Sequence, residues 1–246
     1  MWRVTALLAQ DVNISSEYFA ETMRSGVGEA ITDALRDVPG VCRAVLGLRP
    51  DDPDPAVVNA FPIRHDALLE IWCESDQAAV QAARGLAKSE GVTSAVQGVL
   101  DGARGIAWLA EVVPQKPDDE GLTKVKFLAA GDVAEGWTVA NAQRYWKEEH
   151  PRIARTVPSC WNGMTLYTQF HGREAPTIDL GSHIGCTRFV PMCADMGFVQ
   201  PRDFIAHYSN PEYLRVVRPD EEKFARPGEM LAFVTDYEIE LFSTPV

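Results

Sequence analysis

Two halves of this 246-residue chain spell out one order of elements. A repeat of that length, well beyond solenoid periods, calls for two similar units side by side. In the first half, Arg3 to Asp11 reads as a strand ending in a turn. Ser15 or Ser16 can cap the next helix by accepting a backbone hydrogen bond, and Phe19, Met23, Val27, Ile31, Ala34 and Leu35 give that helix one apolar stripe. Gly26 and Gly28 weaken its middle. Val38-Pro39-Gly40 ends it, and Val41 to Leu48 is a second strand. Residues 49–62 carry Pro50, Pro53, Pro55 and Pro62 with three aspartates, a composition that suits a surface loop. Leu68 to Cys73 is a third strand, Asp76 to Lys88 an alanine-rich helix, and Ile106 to Val113 a fourth strand. The order β-α-β-β-α-β is that of a ferredoxin-like unit.

Pro114 to Gly121 is polar and proline-bearing and reads as a linker, after which the order recurs. Arg3 to Asp11 lies over Lys124 to Asp132, Val38-Pro39 over Val157-Pro158, and Asp101 over Asp220. In the second half Thr138 caps the helix, Gly163 to Phe170 is strand two, and Gly172 to Ser182 is a loop. His183 to Val190 is strand three, Pro201 to Tyr208 and Pro211 to Val217 are helical, and Met230 to Leu241 is strand four. The expectation is an α+β protein of two ferredoxin-like repeats, residues 1–115 and 123–246, whose sheets pair within one chain.

The formal net charge is -12, and the 23 basic residues form no cluster, which argues against binding nucleic acid or anionic membrane surfaces. The N-terminal run is too short for a signal peptide, and no segment approaches the ~20 apolar residues of a membrane span. Five widely spaced cysteines without a CxxC pair fit reduced thiols, so a cytoplasmic location is expected.

Chemistry points to Tyr145-Trp146-Lys147-Glu148-Glu149-His150-Pro151-Arg152. Val139, Ala142, Trp146, His150 and Ile153 recur at steps of three and four, which puts the histidine on the stripe a helix buries. Such a histidine can be a plain packing residue. Pro151 favours a functional reading, because proline disfavours helical geometry at the residue before it and leaves His150 at a break. The pattern Tyr-Trp-x-x-x-His-Pro, followed by Pro211-Glu212-Tyr213 and Asp220-Glu221-Glu222-Lys223-Phe224, resembles the EthD family of the dimeric α+β barrel superfamily. The resemblance covers residues 123–242 well and the first 115 in outline. It implies a barrel whose relatives include decarboxylases and dehydratases of aromatic pathways, a cyclase and a lactone isomerase. It also marks Asp220 as a family position, although the run Asp220-Glu221-Glu222 by itself reads as a solvated helix face.

With helices on one face of each sheet, a ligand cavity is expected between the other two faces. Thr165, Tyr167, Gln169 and His171 share a strand face too polar for the helix side and are assigned to that cavity. On strand three, His183 and Thr187 share a face with Phe189, while Cys186 and Arg188 share the other. By the offset of the Val-Pro pairs, His183 takes the place of Arg64, and Ile31 occupies the place of His150, so one competent site per chain is expected. The candidates are His150, His183 and Tyr167 for catalysis. Tyr145, Trp146, Gln169, His171, Arg188, Glu70 and Trp72 are the candidates for substrate binding.

No HxH or HExxH pair, nucleophile elbow or phosphate loop is present, so neither a metal nor a nucleotide cofactor is expected. The resulting expectation is a cofactor-independent lyase of the decarboxylase or dehydratase type, working by general acid/base catalysis on a small aromatic or polyketide-like substrate. A cyclase or lactone isomerase is the first alternative. The second is an accessory protein that binds a hydrophobic small molecule. The partner is that small molecule, with a homodimer as a possible assembly.

Overall fold

The computed structural model describes residues 1–53, 55, 61, 63–118, 120–174, 178–226 and 231–244. In the first unit β1 (Trp2–Leu8) leads to Ser15, whose side chain accepts the backbone N–H of Tyr18 and starts α1 (Ser16–Thr22). The helix continues through a π-helical stretch, Met23–Val27, which holds Gly26, into α2, which begins at the second glycine (Gly28–Leu35). Gly40 then turns the chain with φ +78°, a left-handed conformation that favours glycine, and β2 (Val41–Leu48) and β3 (Ala67–Cys73) follow. α3 (Asp76–Lys88) and a helix not expected from sequence, α4 (Glu90–Val96, capped by Ser89), lead to β4 (Ile106–Lys116). Half of the proline-rich stretch 49–62 lies outside the described residues, as does Met230 at the expected start of the last strand.

The second unit repeats this with β5 (Val125–Gly131), α5 (Val139–Glu148), α6 (His150–Arg155), α7 (Pro158–Trp161), β6 (Leu166–Gly172), the short β7 (Cys186–Thr187) and β8 (Met192–Phe198). Then come α8 (Pro201–Ser209), a π-helical turn at Tyr213–Val217, α9 (Arg218–Phe224), β9 (Leu231–Thr235) and β10 (Tyr237–Ser243). The strand order is β10-β2-β3-β1-β4-β6-β8-β5-β9. β9 and β10 are one run of chain broken only at Asp236, so its two ends lie on opposite edges of that order and close it into a barrel. The fourth strand of each unit thus finishes beside the second strand of the other. β4 pairs with β1 through Ile106 to Glu111 and with β6 from Ala110 to Lys116.

Three expectations need correction here. Pro114 to Lys116, expected in a linker, belong to β4, where Pro114 sits at a register irregularity, one of the few places a ladder tolerates proline. The third strand of the second unit is Met192–Phe198 and not residues 183–190, which cross to the first unit. There Ile184, with Ile178 and Leu180, packs into the first unit's core, and β7 runs parallel to β4. The register also shifts the internal alignment. The helix caps Ser15 and Thr138 and the strand starts Trp2 and Val125 share one offset, which sets Val27, rather than Ile31, against His150.

The inner faces of the sheets are packed together where the central cavity was expected. They meet over Leu7, Leu68, Trp72, Trp108, Leu128, Phe170 and Phe233. Among these lies a buried charge quartet. Arg3 pairs with Glu70 and Asp195, and Lys126 donates to Glu70 at 2.5 Å and pairs with Glu238. The Arg3 guanidinium lies 3.2 Å from the Phe170 ring centre. Arg3 and Lys126 hold the same place in β1 and β5, as do Glu70 and Asp195 in β3 and β8. Burial opposes the charge of Glu70, but Lys126 and Arg3 outweigh it and hold the carboxyl at about 2. Removing one member would strand its partner's charge in the interior, which typically costs about 3–5 kcal/mol. Among the described residues no helix is long and apolar enough to cross a membrane.

Candidate active site

A cavity of about 120 Å³ lies between the second sheet and its own helices. Its sheet side is Gly131, Met192, Ala194 and Met196, and Trp146, His150 and Ala154 face it from α5 and α6. Cys160, Trp161, His207, Tyr208, Glu221 and Phe224 close the remaining sides.

Local sequence explains how His150 comes to face it. α5 starts where the Thr138 side chain accepts the N–H of Asn141, and it buries Ala142 and Trp146. The helix ends at Glu148, and Pro151, with no N–H to give, is housed in the first turn of α6, where none is needed. His150 stands at that junction, 4% exposed. The facing helical stretch buries Tyr213, Val217, Asp220 and Phe224, at steps of four, three and four. That stripe brings Asp220 to His150, with 2.9 Å between Oδ2 and Nδ1.

Asp220 is therefore not on a solvated helix face; it is 2% exposed. Its Oδ1 accepts the Tyr145 hydroxyl at 2.6 Å and the Lys223 ammonium at 3.0 Å. Burial works against its charge, yet the hydrogen bonds from His150, Tyr145 and Lys223 prevail and hold its carboxyl at about 2. An ionised carboxylate can only accept, so Nδ1 of His150 carries the hydrogen and Nε2 holds the free lone pair. No described residue bonds that nitrogen. Asp220 thus fixes both the tautomer and the ring orientation.

Tyr167 completes the arrangement. Its oxygen accepts the Trp146 indole N–H at 2.9 Å and the Gln169 amide at 3.2 Å. With both lone pairs engaged, the phenolic hydrogen is left for the cavity that Tyr167 lines, and burial keeps it on the oxygen well above the usual tyrosine range. Gln169 also donates to the Trp146 carbonyl at 2.7 Å and accepts from His171 at 3.1 Å. His171 stacks on the Trp146 indole, 5.3 Å between centres and 11° between planes, and burial lowers it to about 4, so it is neutral.

The polar face of strand two therefore does serve the cavity, from the helix side of the sheet instead of the barrel interior. Of the residues named from sequence, the structure brings His150, Tyr167 and Trp146 to the cavity wall. Tyr145, Gln169 and His171 stand directly behind them. Glu70 and Trp72 are in the barrel interior with Arg3. Arg188 is on the surface, 3.8 Å from Asp132. His183 packs near Ala87 in the first unit, because residues 183–190 are a crossing segment whose one short strand, β7, pairs with β4 of that unit. Sequence reading missed Glu221 and His207 in the wall. His207 is held neutral by burial, at about 4. The stripe from Tyr213 to Phe224 was the available signal for Asp220. Among the described residues, no group of three or more His, Cys, Asp or Glu side chains could hold a metal ion.

A family model for the EthD domain matches residues 134–228. No curated protein sequence matches the chain. Among solved structures, an anthrone oxidase-like protein is similar with a TM-score of 0.57 and 12% identity, over 100% of this chain and 96% of that one. A proposed monooxygenase from Fusobacterium nucleatum subsp. nucleatum gives 0.55 and 10%, over 99% and 95%. A chlorite dismutase variant from Candidatus Nitrospira defluvii gives 0.51 and 10%, over 95% and 90%. At such identity the likeness is one of fold, and its coverage shows that both units are shared. Residues 134–228, which hold Trp146, His150, Tyr167, Asp220 and Glu221, match the EthD domain, on a chain that has the dimeric α+β barrel fold with both units in one polypeptide.

Proposed function

We propose that this protein is a cofactor-independent lyase of the decarboxylase or dehydratase type, with His150 as its general base and a small aromatic or polyketide-like compound as substrate. The observation that carries the reading is the His150–Asp220 pair opening on an apolar cavity. An imidazole with a fixed tautomer and a free Nε2 can act as a general base. Tyr167, whose hydroxyl hydrogen has no acceptor among the described residues, can stabilise charge that develops on a carbonyl oxygen. Proton transfer and charge stabilisation are all that such reactions need, so the reading asks for no cofactor. The cavity, about 120 Å³, is near the ~150 Å³ that takes up a benzene, which favours a substrate with one ring.

The test is solvent-deuterium incorporation next to the carbonyl of one-ring ketones and ketoacids, followed by NMR. Exchange that needs His150 and Asp220 supports the reading. Tight binding without exchange or turnover, unchanged in His150→Ala, would instead support a non-catalytic binding protein. The neighbours described as anthrone oxidase-like and as a monooxygenase suggest a second reading, in which dioxygen captures the carbanion formed at His150. Oxygen consumption during turnover would favour it over a lyase.

A further inference from the structure

We propose that Glu221 is the acid of this site, delivering a proton to the departing hydroxyl group of a β-hydroxy carbonyl compound, so that the reaction is a dehydration. The proposal rests on the reading of His150 as the base.

Asp220 and Glu221 are consecutive carboxyls with opposite surroundings. Asp220 points away from the cavity into three donors. Glu221 lines the cavity, with its Oε2 accepting the Tyr213 hydroxyl at 2.8 Å. Arg218 Nη1 is 3.6 Å from that same oxygen, while Arg218 Nε is engaged by Glu222 at 3.0 Å. Among the described residues no hydrogen bond reaches Oε1 of Glu221. Burial raises its pKa above the ordinary carboxyl range, despite the nearby His150, Tyr213 and Arg218. Two carboxyls whose environments push them apart mark a division between an ionised partner and a proton carrier.

The other unit supplies a second argument. The third strands and the caps Ser75 and Gln200 share one offset, and it places Val96, fully packed, where Glu221 stands. Packing at this place is satisfied by valine, so a carboxyl beside a base answers to chemistry. That chemistry is more specific than lyase action in general. Carbon dioxide leaves without needing a proton. Hydroxide is a poor leaving group and needs an acid.

The steps balance with the groups at hand. His150 Nε2 takes the hydrogen next to the carbonyl, and the electron pair of that C–H bond moves toward the carbonyl oxygen, where the Tyr167 hydroxyl donates to it. The pair returns to form the C=C bond as the C–O bond breaks, and the hydroxyl leaves as water with the proton of Glu221. His150 ends with one proton more and Glu221 with one fewer, and exchange with solvent restores both. No oxidant or reductant takes part.

The experiment uses the full chain with a phenyl β-hydroxy ketone and its β-fluoro analogue in deuterium oxide. Fluoride leaves without protonation. Glu221→Gln should slow water loss by about 10²- to 10⁴-fold, the usual worth of a general acid, while fluoride release and deuterium incorporation stay within a few-fold of the unmodified chain. Glu221→Val, which copies Val96, should give the same pattern in a chain at least as resistant to heat. Equal slowing of both leaving groups, or of neither, would overturn the assignment. Failure of the underlying reading looks different: His150→Ala would then keep its deuterium incorporation.

Discussion

On the sheet face under its helices the first unit carries Leu8, Leu46 and Leu69; the second carries Gly131, Gln169 and Ala194 at the same places in the same strands. The pairing is direct, since Leu46 lies opposite Leu69 and Gln169 opposite Ala194. The helix stripe changes in step, from Met23, Val27 and Ile31 to Trp146, His150 and Ala154. All of these first-unit residues join one continuous apolar core. The difference teaches two things. A cavity needs no change of fold, only the loss of side-chain volume at positions such as Gly131 and Ala194. And polar residues on a helix-facing strand are tolerated when they satisfy one another, as His171, Gln169, Tyr167 and Trp146 do.

The comparison is broken most severely at His150. If the second unit is the working one, His150→Ala lowers kcat by about 10²- to 10⁴-fold with little change in melting temperature. Val27→Ala, at the matching place, should lower the melting temperature and leave kcat alone. Equal kinetic losses for the two would erase the distinction between the units.

Exchanging sheet residues comes next. Leu69→Ala hollows the solid unit and should cost on the order of 2–5 kcal/mol in denaturant unfolding, as for other buried leucines. The reciprocal Ala194→Leu fills the cavity, so substrate binding should be lost while stability holds or rises. A large stability loss from Ala194→Leu would mean that the cavity is not open space.

Tyr167→Phe sharpens the picture at its polar edge. Loss of a donor to a developing oxyanion typically lowers kcat by about 10²-fold. The same change leaves the Trp146 N–H without its acceptor, at a cost of about 1–3 kcal/mol. Ala44, the matching residue of the first unit, has no such bond to lose.

The smallest effect concerns pH. The Asp220 carboxyl lies lower in the folded chain, at about 2, than its ordinary value of 3.8, so its ionised form stabilises the fold. That contribution is complete above about pH 4 and is lost as pH falls toward 2. Melting curves across that window should therefore slope less steeply for Asp220→Asn, by an amount on the order of 1 kcal/mol. An unchanged slope would show that the bonds to His150, Tyr145 and Lys223 do not hold Asp220 ionised.

Much of the frame was legible because local chemistry governs it. β2 and α3 fall where their apolar pattern and the Ser75 cap put them, and Thr138 caps α5 as its position suggested. What misled was chemistry that depends on distant partners. Met192–Phe198 contains an aspartate and a glycine and follows a proline, poor local credentials for a central strand. Asp195 is acceptable there because Arg3 reaches it from the other unit. His183 to Val190 looked more strand-like, but its neighbours Ile178, Leu180 and Ile184 are drawn across the barrel into the first unit's core. The site was half legible for the same reason. His150 announces itself through Pro151, whereas Asp220 and Glu221 look alike in sequence and acquire opposite roles only from what faces them.

The run from β9 into β10 has a consequence for how such a site can arise. Because one stretch of chain spans both sheet edges, ring closure is intramolecular and does not weaken on dilution, as a ring closed by two separate subunits would. Each substitution is also made once. In a symmetric pair of identical subunits, a glycine in place of Leu8 would hollow both halves and cost stability twice. Here the half whose first strand ends in Leu8 can stay solid and carry the fold while the half whose first strand ends in Gly131 gives up packing for chemistry.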